Sequence, residues 1–144
     1  MKWIIAATLA ALIFGALDAM WLNWAGPNLY EPNIGEIMAD SFNPVAAGAF
    51  YLIYLAGTLW FAIRPGLNSG KVSAALLNGV LLGALCYATF DLTSQAVFKV
   101  WSTKITIVDI AWGAFATGST SAIVTWLTLR LTNKPTDHTL ADKG

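Results

Sequence analysis

Three aspartates set in long apolar stretches are the residues of this chain that could do chemistry: Asp18, Asp91 and Asp109. A carboxylate is costly in hydrocarbon, so each should face a partner helix, a water-filled cavity or a ligand, or else take up a proton. Asp91 lies on a helical stripe in which four-residue spacing aligns Gly79, Gly83, Tyr87, Asp91 and Gln95. Asp18-Ala-Met-Trp21 and Asp109-Ile-Ala-Trp112 share the spacing D-x-x-W, which sets an indole one turn beyond each acid on nearly the same face. Tyr51 and Tyr54 can join the same layer. So can Asn23, Trp24 and Trp101.

A layer of acids and amphipathic aromatics suits three kinds of chemistry. The first is binding of a lipid-like or amphipathic ligand, with Trp21, Tyr51, Tyr54, Tyr87 and Trp112 packing on its apolar part while Asp18, Asp91, Gln95 and Asp109 meet its head group. The second is proton or cation transport by clustered titrating acids, which in four short helices would require a homo-oligomer. The third is acid–base catalysis on a lipid by two carboxylates. Against all three stands the plain alternative that Trp and Tyr belts form at any membrane interface, where an acid near a helix end reaches water.

Motifs weigh against an enzyme. The chain has no H-E-x-x-H, no G-x-S-x-G, no cysteine–histidine pairing and no phosphate-cradling glycine loop, and its one histidine, His138, is near the C-terminus. No metal and no cofactor are therefore expected. Oxygen ligands alone would favour Mg²⁺ or Ca²⁺ over zinc.

The elements that must position these residues follow from hydrophobic length. Of 144 residues, 57% are hydrophobic and 11% charged, where a soluble domain carries about 25% charged residues. This is a membrane protein. Zero net charge and the lack of a basic stripe exclude a nucleic-acid partner. Lone Cys86, inside an apolar segment, reads as a small core residue.

The expected fold is an all-α, four-transmembrane-helix bundle over residues 1–131, with spans near 3–25, 45–63, 72–95 and 105–129 and a disordered cytoplasmic tail over 132–144. Gly26-Pro27 should end the first span and Arg64-Pro65-Gly66 the second, while the third could continue as exposed helix through Lys99 and Trp101. Between the first two spans, residues 34–42 suit a short interfacial helix or a plain loop. A cleaved signal peptide is the rival reading of the first span, but no good small-x-small site follows it.

Cations set the orientation. With both termini in the cytoplasm, Lys2, Arg64, Lys71, Arg130, Lys134 and Lys143 lie inside, and only Lys99 and Lys104 lie outside, beside Glu31, Glu36 and Asp40. At about 1.5 Å per residue, all three acids then fall in the outer half, Asp91 and Asp109 near the interface and Asp18 deeper. Gly79-x-x-x-Gly83, Gly113-x-x-x-Thr117 and Gly15 should allow close helix contacts. The repeated G-A-L before an acid, at Gly15 and Gly83, suggests an internal duplication.

Four blocks carry a family resemblance: Asp18 to Leu22, the run Gly83-Ala-Leu…Tyr87-Ala-Thr-Phe-Asp91-Leu-Thr, Trp101-Ser102, and Val108-Asp109-Ile-Ala-Trp112-Gly113. Together they resemble the bacterial membrane proteins grouped as domain of unknown function 2177, over nearly the whole chain to about Leu131. The resemblance implies a four-helix inner-membrane protein without an established activity, found alongside genes for fatty-acyl modification such as cyclopropane-type methyltransferases and flavin oxidases. It supplies no catalytic residue. The expected partners are accordingly membrane lipid and a lipid-modifying enzyme.

Overall fold

Inside hydrocarbon every backbone N–H and C=O must be satisfied within the chain, and the helix does this locally. In the computed structural model, which describes residues 1–132, helices are the only regular elements. Four helical stretches are long and apolar enough to cross a membrane: Lys2–Ile37, Pro44–Ser69, Val72–Val97 and Thr103–Thr132. The tail expected over 132–144, with His138, falls almost wholly outside the described residues.

The first two spans run past the prolines expected to end them. Helix α1 (Lys2–Ala25) widens into a π turn at Gly26–Tyr30, then resumes as α2 (Glu31–Ile34) and closes in a 3₁₀ turn at Gly35–Ile37. Pro27 has no N–H to give the regular ladder, and the wider turn accommodates it without breaking the helix. Side chains supply extra donors there: Asn28 donates to the Trp24 carbonyl and Asn33 to that of Leu29, both at 2.7 Å. Of the expected segment 34–42, only Ile34–Ile37 is helical, as the end of this first span. Asn43 then caps the next helix by accepting from the backbone N–H of Val45 and Ala46.

The second span repeats the device. Helix α3 (Pro44–Thr58) passes through a π turn at Leu59–Ile63 into α4 (Arg64–Ser69), so Arg64-Pro65-Gly66 does not stop it. The stop is Gly70, whose φ of 66° is left-handed. Gly66 has a packing role instead: a Cβ there would stand 2.6 Å from that of Ala75. Helix α5 (Val72–Val97) ends where Phe98 turns extended, so it does not reach Trp101, and α6 (Thr103–Thr132) follows.

Helices α5 and α6 form the closest pair, and α6 is the most buried of the four spans. Their seam is made of glycine and hydroxyl residues. A Cβ on Gly83 would be driven into the Gly113 carbonyl, one on Gly79 would stand 2.7 Å from Ser121 Oγ, and one on Gly118 would stand 2.6 Å from Val80. Such contact is what holds helices together where lipid removes the hydrophobic drive. Gly15 takes no part: nothing lies within 4 Å of a Cβ built there, because that side of α1 faces away from its neighbours.

The bundle is closed at one end and open at the other. Near the N-terminus, Ala6, Ala10, Ile63, Leu67 and Val124 form a continuous core, and the π turn and α4 pack on α5. At the same end Arg64 lies 4.0 Å over the Trp60 ring and Arg130 4.5 Å over Trp126, cations seated on indoles as at an interface. Toward the opposite end α3 leans away. It packs weakly on α1 and makes no extended contact with α5.

Candidate functional site

The splayed end holds all three acids. Asp18 of α1 and Asp109 of α6 are each 5% exposed, and Asp91 of α5 is fully buried. Asp109 Oδ1 accepts a 2.8 Å hydrogen bond from the Tyr30 hydroxyl, which in turn accepts from Trp21 Nε1 at 3.0 Å. Asp18 Oδ2 accepts from the Tyr51 hydroxyl on α3. Asp91 differs: its carboxyl lies against that of Asp109, and neither of its oxygens receives a proton donor among the described residues.

The two D-x-x-W units cross. The Trp21 and Trp112 rings stack at 4.5 Å with their planes 7° apart, tying α1 to α6. Trp21, one turn from Asp18, serves Asp109 through Tyr30. Trp112, one turn from Asp109, comes close to Asp18, though its Nε1 makes no aligned hydrogen bond. Asp18 thus lies deeper than the Asp91–Asp109 pair, separated from it by the stacked indoles and Tyr30.

Where α3 leans away, a cavity of about 770 Å³ opens, reaching Asp109, Tyr30, Tyr54 and Tyr87. This is within the range of small-molecule pockets, about 300–1,000 Å³. A second cavity of about 280 Å³ reaches Asp18, Trp21 and Tyr51. Leu22, Tyr30, Phe50 and Tyr87 border both, so the two are chambers of one bipartite site. Its mouth is rimmed by Phe50, Phe90 and Phe98, all substantially exposed. The side chains are held from behind: Tyr54 shares a 2.6 Å hydrogen bond with Thr117, and its ring packs on Phe14 at 5.1 Å.

Most of the residues singled out in the sequence meet here. Asp18, Trp21, Tyr51, Tyr54, Tyr87 and Asp109 line one chamber or the other, while Asp91 and Trp112 stand behind the wall. Gln95 lines neither. Its Nε2 donates to Thr103 at 2.9 Å and its Oε1 accepts from Thr106 at 2.7 Å, which fastens the end of α5 to the start of α6. Sequence reasoning missed Phe50, Phe90 and Phe98 at the mouth, and it missed Tyr30 because Gly26-Pro27 marked it as loop. The signal for Tyr30 was its helical spacing with Ile34, Ile37 and Met38, at four, seven and eight residues on.

No group of three or more potential metal ligands occurs among the described residues. The Asp91–Asp109 pair offers only two carboxyls.

Tyr30 carries the link between the chambers. Tyr30→Phe should lower stability by about 1–3 kcal/mol, because it strips the donor from Asp109 and the acceptor from Trp21 in one step. Thermal unfolding in mild detergent checks this. An unchanged midpoint would show that water replaces the hydroxyl at no cost.

A family model described as predicted membrane protein (DUF2177) matches residues 3–127. No curated protein and no solved structure matches the chain.

Proposed function

We propose that this chain, which belongs to the DUF2177 family of predicted membrane proteins, binds one lipid-like amphiphile in its bipartite cavity and serves as an accessory to fatty-acyl or lipid modification. The observation that carries this reading is an apolar cavity rimmed by exposed phenylalanines and ending on the hydrogen-bonded carboxyl of Asp109. A chain would enter between α3 and α5 along Phe50, Phe90 and Phe98, and its head group would meet Asp109 and Tyr30. Apolar walls supply affinity; the few polar groups fix orientation. The accessory role rests on the family resemblance. An inner-membrane location with both termini cytoplasmic is favoured by the cations gathered at the closed end, and the cavity would then face the outer leaflet.

One observation favours an ion-linked role. Thr120, Ser121, Thr125 and Thr128 of α6 are buried with unpartnered hydroxyls, in a column running from the site toward the closed end. The column packs against the glycine seam, and neither chamber of the site extends along it. Binding is therefore the better-supported reading. Proton flux in reconstituted vesicles above that of protein-free vesicles would reverse this order.

Native mass spectrometry of protein purified in a mild nonionic detergent tests the proposal. The wild type should retain a discrete lipid or acyl derivative, and Asp109→Asn should lose it with the fold intact. Unliganded protein in both cases would sink the reading.

A further inference from the structure

We infer that the head group this cavity accepts is a primary amine in its protonated form, on an amphiphile with no anionic group beside it. The inference rests on reading the cavity as an amphiphile site and adds the chemistry of the head. Among the described residues, no lysine, arginine or histidine lines either chamber. A phosphate or carboxylate head would find no counter-charge and would face Asp109 and Asp18 directly.

Donors are scarce as well. The Tyr30 and Tyr51 hydroxyls are committed to the two carboxyls and Tyr54 is engaged with Thr117, so among the described residues Tyr87 is the one tyrosine bordering the chambers whose hydroxyl is uncommitted. Acceptors are in excess, and the clearest case is Asp91: fully buried, with both oxygens lacking a donor and a second acid against it. Even if the Asp91–Asp109 pair shares one proton, it keeps acceptor capacity and negative charge that no described side chain offsets. An ammonium in the chamber can donate to Asp109, the acid of the pair that lines it, and brings the positive charge that the pair lacks. A quaternary ammonium would supply only the charge.

The walls fit the same head group. Phe90 and Trp101 meet edge to face at 5.8 Å, and with Tyr87 they give the chamber aromatic surfaces. A cation close to such ring faces is attracted by their quadrupoles, most strongly where water is excluded. Low dielectric also lets buried Asp91 act on a cation that it does not touch.

The test uses three probes that differ only at the head: dibrominated stearylamine, stearyl alcohol and stearic acid. Each is titrated into the full-length protein in phosphatidylcholine nanodiscs, and saturable quenching of tryptophan fluorescence by the bromines is read. The amine should bind at least about tenfold more tightly than the alcohol, and the acid more weakly than either. Asp91→Asn and Asp109→Asn should each reduce the amine's advantage over the alcohol by about tenfold while leaving alcohol binding in place. If the alcohol binds as well as the amine, or the acid binds best, the ammonium inference falls and the amphiphile site stands. If no probe quenches saturably, both fall. The comparison of the three probes on wild-type protein decides the matter even if a variant fails to fold.

Discussion

Gly83→Leu is expected to leave no stable bundle in mild detergent. A side chain at this position has nowhere to turn, because its first carbon would be built into the Gly113 carbonyl, and backbone cannot move aside as a flexible side chain can. Helices α5 and α6 would have to separate, and the contacts of Gly79 with Ser121 and of Gly118 with Val80 would open with them. Overpacking in ordinary cores costs about 1–3 kcal/mol. Here the obstacle is backbone and the seam is the main association surface, so the loss should exceed about 3 kcal/mol. Gly15→Leu is the matched control and should leave stability unchanged, since a Cβ there meets nothing within 4 Å. Thermal unfolding followed by helical circular dichroism gives the answer. Equal midpoints for the two variants would mean that Gly83 faces lipid.

Asp91→Asn is expected to work in the opposite direction on the empty protein, raising its stability by about 1–3 kcal/mol while weakening ligand retention. The wild-type carboxyl is fully buried beside another acid and has no donor for either oxygen. An asparagine of the same shape brings an N–H₂ that can donate to Asp109 and removes one of two like charges. A gain in stability coupled to a loss of binding is the signature of a group kept for function at the expense of the fold. Differential scanning fluorimetry on delipidated protein, together with native mass spectrometry, reads the two effects separately. A fall in the midpoint of the empty protein would show that Asp91 holds the bundle together instead.

What could be read from the sequence was what depends on position along the chain. Four apolar lengths set four spans, and the glycine spacing at Gly79 and Gly83 identified the seam. Counting also grouped the acids by depth. What could not be read was angular: Gly15 has the same small-residue credentials as Gly83 yet faces away from its neighbours, and Gln95 shares the Asp91 stripe but lies a turn beyond the cavity. The other misreading came from treating Gly26-Pro27 and Arg64-Pro65-Gly66 as they would behave in water. There a helix can end because solvent takes the freed carbonyls. Here a wider turn carries the helix past each proline, and at the first of them side-chain amides donate to backbone carbonyls. That error also hid Tyr30, which joins the two chambers.

The π turn at Gly26–Tyr30 amounts to one surplus residue wound into a helix, a phase offset of about 100° for everything that follows. Tyr30, the last residue of that turn, is the one that reaches Asp109. In this stretch, then, residue count is under tighter constraint than residue type: many substitutions would keep the phase, whereas a single insertion or deletion would swing the tyrosine off the acid. The segment that most looks like a permissive connector is where the chain has least freedom to change length.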